Sequence, residues 1–200
     1  MAVKWMTMSG LLALALTACG GTQTPGAASG NVAGGGGSTP VASVPTTGAL
    51  PSADELQIMK DVNTARASAR SCGAVHFAAA GPLTWNTQLA TAAQRHSSDM
   101  AQNGYREATA QEPEAPHTGS DGSTPQQRIT AAGYVWQNSG ENVAAGYTVG
   151  GMNDVVLAWL ASPGHCSNLM NPKFKEIGVS VVVNEGMKYR SFYTQDFGSR

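Results

Sequence analysis

The chain has 200 residues, with 12 lysine and arginine residues against 13 aspartate and glutamate residues and a formal net charge of −1. The basic residues are scattered, which excludes the basic stripe by which proteins bind nucleic acid or an anionic membrane surface. The length allows one domain with a buried core once two N-terminal segments are set aside.

An export signal is predicted over residues 1–19. Lys4 precedes a short apolar run, and Leu16-Thr17-Ala18-Cys19 places small residues directly before a cysteine. The run is too short to span a bilayer comfortably, so it indicates a cleaved signal. The pattern resembles a bacterial lipobox, in which Cys19 is lipidated and becomes the mature N-terminus. An ordinary signal peptide cleaved near the same place is the alternative.

A tether is predicted over residues 20–52, before a domain over 53–200. The tether is rich in glycine, proline, serine, threonine and alanine and has no charged side chain. Such a composition buries too little apolar area to offset its ordering entropy. We therefore expect an exported protein, lipid-anchored at the cell membrane or outer membrane and facing the periplasm or the exterior.

Helical spacing of apolar residues and capping signals predict four helices. They are a helix over about 54–70 that starts at a Ser52–Glu55 capping box, one from Asn86 to Gly104, one from Thr124 to Gly133, and one around Val155–Leu160 that ends at Pro163-Gly164. His96 lies on the apolar face of the second helix, so we expect it to be a buried, hydrogen-bonded histidine.

Strand signals come late in the chain. Residues 177–183 are rich in β-branched side chains, and residues 189–197 alternate aromatic and polar side chains after a turn. These segments are predicted to pair as an antiparallel hairpin, with residues 141–145 as a further strand. The pattern indicates an α+β fold in which helices cover both faces of a small antiparallel sheet.

Two cysteines remain after Cys19, and they are Cys72 and Cys166. Because exported proteins meet an oxidising compartment, we predict a disulfide between them. The alternative makes Cys166 a thiol nucleophile activated by His165. Adjacent residues rarely point in the directions that this activation needs, and the even cysteine count favours the disulfide.

His117, Glu141 and His165 are the candidate site residues, because imidazole and carboxylate groups bind divalent metal or move protons near neutral pH. Each also has a structural interpretation. His117 could belong to a turn, His165 could satisfy carbonyl groups at a helix end, and Glu141 could bond backbone at a strand start.

Ser120 and Asp121 suggest a Ser-His-Asp triad with His117. Residues so close together in one glycine-containing turn cannot easily adopt the geometry of nucleophile, base and orienting acid. Asp121 is better interpreted as an Asx-turn or capping group for the helix that begins after Thr124. His76 has no neighbouring pattern and is given no role.

An ordered series of motifs covers nearly the whole predicted domain. They are Leu83-Thr84-Trp85-Asn86, His96-Ser97-Ser98-Asp99-Met100-Ala101, His117-Thr118-Gly119-Ser120-Asp121-Gly122, Gly140-Glu141-Asn142-Val143-Ala144, Ser162-Pro163-Gly164-His165, Asn168-Leu169-Met170-Asn171-Pro172, Glu176-Ile177-Gly178-Val179 and Tyr193-Thr194-Gln195-Asp196-Phe197-Gly198. Together they resemble a domain of the CAP superfamily, also called SCP-like, in its YkwD-like bacterial branch.

The resemblance implies a three-layer α-β-α sandwich and a cleft that many members line with two histidines and two glutamates. By motif, His117 and His165 match the histidines and Glu141 matches one glutamate. Ser162 occupies the place of the second glutamate. His117 and His165 are therefore candidate ligands for a divalent metal such as zinc or magnesium, and three protein ligands with water still satisfy an open metal site.

The resemblance favours binding over catalysis, since sterol, fatty-acid and protein binding recur in the family and general enzymatic activity does not. We expect the cleft to bind a lipid, a small molecule, a divalent ion or an envelope protein, and not nucleic acid. One alternative is a metal-assisted hydrolase, a peptidase or nuclease, that uses His117, Glu141 and His165. The other is a structural or adhesive module with a vestigial cleft.

Overall fold

A computed structural model of the chain describes residues 50–146 and 152–200. The export signal predicted over residues 1–19, with the lipidation site Cys19, lies outside the described residues, and so does most of the tether predicted over 20–52. In the part of the chain that the structure describes, no helix is long and apolar enough to cross a membrane.

The described residues form five α-helices and one short 3₁₀ helix. The α-helices are α1 (Ala53–Arg66), α2 (Thr87–Asn103), α3 (Pro125–Ala131), α4 (Met152–Ala161) and α5 (Pro163–Met170), and the 3₁₀ helix is Ala115–His117. The predicted caps of the first three helices are present: Ser52 and Glu55 form a capping box on α1, Asn86 caps α2 and Thr124 caps α3. These caps satisfy N–H groups that a helix leaves without internal partners.

One predicted helix end was wrong, and one helix was not predicted. Helix α1 stops at Arg66, not near Arg70, because the chain then turns into a two-stranded hairpin around Gly73 at φ +60°. Helix α4 ends at Ala161, just before the predicted stop at Pro163-Gly164. A further helix, α5, follows at once, and Pro163 is its first residue, a position where its missing N–H and fixed φ are compatible with a helix.

Six strands form two sheets in the described residues. They are β1 (Arg70–Cys72), β2 (Val75–Phe77), β3 (Thr84–Trp85), β4 (Asn138–Gly146), β5 (Glu176–Val183) and β6 (Ser191–Ser199). β1 and β2 make the small hairpin, and the main sheet has the order β3-β5-β6-β4. The predicted antiparallel pairing of β5 with β6 is confirmed, and β4 pairs antiparallel with β6. The short β3 adds a parallel edge that the sequence pattern did not reveal.

The main sheet has two faces, which we name for the helices that cover them. Glu141, Val143, Gly178 and Asp196 lie on the α2 face, because paired residues in neighbouring antiparallel strands share a face. Gly178 shows the close approach of α2, since a Cβ atom there would come 2.0 Å from the backbone nitrogen of Ala90. The next residues along each strand point to the opposite side, the α5 face.

Each face carries its own apolar core. On the α2 face, Met100 and Ala101 of α2 pack with Val143 and Phe192. On the α5 face, the residues that pack together come from α1, α4, α5, β5 and β6, with Ile58, Trp159, Leu169, Ile177 and Phe197 among them. Helices thus cover both faces of the sheet, and the fold is α+β as predicted.

The predicted disulfide joins Cys72 of β1 to Cys166 of α5. Both residues are buried and pack with Met170. The bridge links residues 94 positions apart and fixes α5 to the β1–β2 hairpin. Cys166 is therefore not a free thiol, and the nucleophile interpretation is wrong.

Candidate functional site

The site residues meet at β4, the strand at one edge of the main sheet. The 3₁₀ helix that ends in His117 packs against β4, and so do α3 and α5. Glu141 and Asn142 are consecutive on β4, so their side chains point to opposite faces of the sheet. Each of them contacts a segment that carries one of the two histidines.

Glu141 lies on the α2 face and its side chain is only 1% exposed. Its Oε1 is 2.9 Å from Nδ1 of His117, and its Oε2 accepts a hydrogen bond of 2.7 Å from Nη2 of Arg128. Burial disfavours the charged carboxylate, but the hydrogen bond from His117 and the positive charges nearby outweigh that effect and lower the pKa of Glu141. Glu141 is therefore an ionised carboxylate with a donor on each oxygen.

His117 is held from two sides. Its Nδ1 bonds Glu141, and its backbone carbonyl accepts a hydrogen bond of 3.0 Å from Nη2 of Arg128. Burial favours the neutral imidazole, yet the hydrogen bond and the charge of Glu141 raise the pKa of His117 above its ordinary value. Because Nδ1 is committed to Glu141, Nε2 is the ring atom left to meet a ligand, and the side chain is 17% exposed.

Buried His96 supports the same segment from α2. Its Nε2 lies 2.8 Å from the carbonyl oxygen of Pro116, the residue before His117, so Nε2 carries the proton and donates it. The side chain is 0% exposed, as the helical spacing predicted, and burial lowers its pKa. His96 is thus a neutral brace for the 3₁₀ helix.

His165 reaches the site from the α5 face. It lies in the first turn of α5, not past a helix end, and its carbonyl oxygen accepts a hydrogen bond of 3.2 Å from Nδ2 of Asn142. The disulfide at Cys166 anchors the same turn. Burial and, to a smaller extent, the positive charge of nearby His117 lower the pKa of His165 to about 4, so its imidazole is neutral at pH 7.

Ser162, the residue in the place of the second family glutamate, is the N-cap of α5. It is 5% exposed, and its Oγ has no hydrogen-bond partner among the described residues. Its carbonyl oxygen accepts the N–H of Cys166 at 2.8 Å, which closes the first turn of α5. Ser162 thus acts through its backbone, which closes the helical turn that carries His165.

A metal held by His117, Glu141 and His165 together does not fit these contacts. Within residues 50–146 and 152–200, no group of three or more His, Cys, Asp or Glu side chains is arranged to hold a metal ion. Glu141 already receives a hydrogen bond on each oxygen, one of them from a buried arginine. Zinc sites in proteins generally use three or four protein ligands. A site on the two imidazoles alone stays a prediction.

The Ser-His-Asp arrangement is absent from the turn after His117. Ser120 bonds the carboxylate of Asp99 through both its N–H and its hydroxyl group. Asp121 accepts the N–H of Ser123 at 2.9 Å, which is the predicted Asx turn ahead of α3. His76 lies on β2, where it contacts Ser71.

Two charged residues of this region were not predicted as site residues. Arg128 looked like an ordinary helical arginine, yet it is only 4% exposed and it bonds Glu141. Asp196 is 0% exposed and lies directly opposite Glu141 on β6. The available signals for Asp196 were its place in the Tyr193–Gly198 motif and the fact that segment 192–197 is otherwise aromatic and neutral.

Comparisons with known proteins agree on one family. The cysteine-rich secretory protein family, CAP, matches residues 59–197. The uncharacterised protein YkwD of Bacillus subtilis is 30% identical over 116 residues, which are 58% of this chain and 39% of YkwD. The uncharacterised membrane protein YlbC of the same organism is 30% identical over 118 residues, 59% of this chain and 29% of YlbC. The matches thus span well under half the length of these relatives.

Solved structures show the same fold. An extracellular protein containing a SCP domain from Bacillus anthracis superposes with a TM-score of 0.56 at 27% identity, covering 74% of this chain and 40% of that one. An outer surface protein from Borrelia burgdorferi superposes with a TM-score of 0.54 at 23% identity, covering 74% of this chain and 92% of that one. Since the family match spans more than half of its residues, the chain belongs to the cysteine-rich secretory protein (CAP) family.

Proposed function

We propose that this chain is an exported, lipid-anchored protein of the bacterial envelope that binds a ligand between His117 and His165. Two solved structures with this fold are an extracellular protein and an outer surface protein, which supports export. A tether behind the predicted lipidated Cys19 would keep the domain at high local concentration near the membrane. The observation that carries the proposal is the position of Glu141 between His117 and Arg128.

That position favours binding over hydrolysis. A general base must reach the proton that it removes, directly or through one water. Glu141 is 1% exposed, and both its oxygens accept charge-assisted hydrogen bonds from His117 and Arg128. Its carboxylate therefore orients His117 and does not serve as a base for a substrate or a metal-bound water.

The two imidazoles differ in what they present to a ligand. Glu141 favours the protonated form of His117, whose Nε2 then donates a hydrogen bond, while His165 is neutral at pH 7. A donor beside a neutral imidazole suits a ligand with an acceptor oxygen, such as a carboxylate of a small molecule or of a partner. We therefore place acidic ligands ahead of divalent ions.

Thermal unfolding of the full chain with added decanoate, Zn²⁺ or Mg²⁺ tests this ranking. A ligand that binds only the folded state raises the unfolding midpoint. We expect decanoate to raise it, and the rise to disappear in the double variant His117→Ala/His165→Ala. His76→Ala is the matched control, because this histidine lies on β2 away from the site.

The other outcomes distinguish the alternatives. A shift with Zn²⁺ alone that needs both His117 and His165 would replace the acidic ligand by a two-histidine metal site. No shift with any of the three probes would leave the structural or adhesive module as the better account. Turnover of envelope peptides by the wild-type chain would overturn the binding proposal.

A further inference from the structure

Asp196 lies at the centre of the main sheet, next to the site but outside every role described so far. On β6 it pairs with Glu141 of β4 on one side and with Gly178 of β5 on the other. All three residues lie on the α2 face. Helix α2 packs directly over this row because Gly178 has no side chain to hold it away. Asp196 is accordingly 0% exposed.

The groups that face Asp196 come from every element packed around it. Glu141 is the neighbour on β4, Arg128 approaches from α3, and His96 and His117 interact with Glu141 from α2 and the 3₁₀ helix. Strand β5 places no charged group beside Asp196, because its residue at that position is Gly178. Arg128 directs Nη2 to Glu141 and His117 and Nη1 to Ser123, so its terminal nitrogens are already used.

Neither oxygen of Asp196 accepts a hydrogen bond from any described residue. An ionised carboxylate that is buried without donors is strongly disfavoured, and a second carboxylate beside it disfavours it further. Of the two acids, Glu141 is the one with a donor on each oxygen. The negative charge of the pair therefore belongs on Glu141, and the proton belongs on Asp196.

We propose that Asp196 is a neutral carboxylic acid whose O–H donates a hydrogen bond to the Glu141 carboxylate and so positions it for His117. Asp196 and Glu141 are direct partners across β6 and β4 and share a face, and side chains in that relation lie close enough to interact. Burial, together with the charge of Glu141, raises the pKa of Asp196 well above its ordinary value. Asp196 is thus a positioning residue, not one that contacts a ligand.

Such a hydrogen bond gives Glu141 a third donor, after His117 and Arg128. Three donors from three elements fix the carboxylate in one orientation, and Nδ1 of His117 is fixed with it. As an account of ligand binding, this inference rests on the proposed function. The protonation of Asp196 can nevertheless be measured without any ligand, so its failure is separate from a failure of the binding proposal.

The test compares the pH dependence of unfolding for the full wild-type chain and the variant Asp196→Asn. A group with a raised folded pKa contributes stability that is complete below its unfolded pKa, about 3.9, and is lost as the pH rises through the folded value. Asparagine is neutral at every pH. We expect the unfolding constant of the wild type to grow relative to Asp196→Asn as the pH rises above about 3.9, by up to about tenfold per pH unit, until the folded pKa is passed.

The matched control is Asp121→Asn. Hydrogen bonds with Ser123 lower the pKa of this exposed carboxylate. The wild type should therefore not lose stability relative to Asp121→Asn as the pH rises. If Asp196→Asn instead becomes less stable than the wild type as the pH rises, or if the two curves stay parallel, Asp196 is ionised and the proposal is wrong.

The positioning role has its own readout in the NMR signals of His117. Asparagine can replace the donated hydrogen bond, so Asp196→Asn should keep both the His117 pKa and the downfield Nδ1–H signal, while Asp196→Ala should lose that signal. Loss of a buried negative charge would lower the His117 pKa in both variants, which contradicts a neutral Asp196. A downfield signal retained in Asp196→Ala would contradict the positioning role. If Asp196→Ala does not fold, the pH dependence of unfolding of Asp196→Asn still decides whether Asp196 is protonated.

Discussion

The two faces of the main sheet each hold one histidine against the same edge strand, and they do so with opposite chemistry. On the α2 face, ionised Glu141 and buried Arg128 hold His117. On the α5 face, neutral Asn142 holds the backbone of His165 and also bonds Gln195 and Asn168. The pKa is raised for His117 and lowered to about 4 for His165. Burial disfavours the charged form of both imidazoles, and only His117 has a carboxylate partner that outweighs this effect.

Removal of the covalent bond on the α5 face should have the largest effect. The double variant Cys72→Ser/Cys166→Ser opens a loop of 94 residues, which in the chain-entropy model lowers the free energy of unfolding by about 4–5 kcal/mol. Urea unfolding of the full chain measures this loss. A loss below about 1 kcal/mol would mean that the packing of Met170 and its neighbours holds α5 without the bridge.

Removal of the cation on the α2 face should have the next largest effect. Arg128→Met leaves Glu141 buried without its arginine, and breaking a buried ion pair in this way costs about 3 kcal/mol. Urea unfolding measures it against Arg106→Met, which breaks the exposed pair with Glu112 and should cost about 0–1 kcal/mol. Equal losses in the two variants would contradict an ionic anchor on this face.

Gly178→Ala tests the close contact that closes the α2 face. The new Cβ atom would meet backbone atoms of Leu89 and Ala90 at 2.2 and 2.0 Å, so α2 must move away, at a cost of about 2–3 kcal/mol. Gly81→Ala is the control, since a Cβ atom there meets nothing within 4 Å. Thermal unfolding of both variants checks the difference, and a tolerated Gly178→Ala would mean that α2 packs less closely than described.

The two histidines should titrate far apart in an NMR experiment. We expect His117 to titrate above its ordinary value near 6.5 and His165 near 4. Glu141→Gln should lower the His117 pKa by about one to two pH units and leave His165 in its low range. The reverse order of the two values would contradict the difference between the faces.

The same shifts predict how the histidines affect stability. His165, with a lowered folded pKa, contributes stability that is present above about pH 6.5 and lost as the pH falls toward 4. His117, with a raised folded pKa, contributes stability that is present below about pH 6.5 and lost as the pH rises through its folded value. The stability of His165→Ala should therefore approach that of the wild type at low pH, and the stability of His117→Ala should approach it at high pH.

Sequence patterns predicted the parts of the fold that depend on local or paired signals. Neighbouring residues determine the helix caps at Ser52, Asn86 and Thr124 and the β5–β6 hairpin. The disulfide follows from an even cysteine count. The end of α1 was missed because the β1–β2 hairpin competes for the same residues, which helical spacing cannot show.

Family motifs predicted which residues approach the site, but not what they contact. His117 contacts Glu141, and the His165 backbone contacts Asn142, the next residue of β4, whereas the second partner of Glu141 is Arg128, a residue in a different element. Asp196 could not be recognised because its pairing with Glu141 requires the register of β4 against β6. Register and burial are properties of the folded sheet, so no local pattern reports them.

The glycine of the Glu-Ile-Gly-Val segment has a consequence for solvent. With no side chain at Gly178, α2 packs closely on the sheet beside Asp196 and Glu141, which are both buried. A larger residue at this position would lift the helix and let water hydrate the carboxyl pair, and hydrated acids of this kind ionise near pH 4. The absence of a side chain at Gly178 on β5 therefore keeps water away from the carboxyl pair that supports His117.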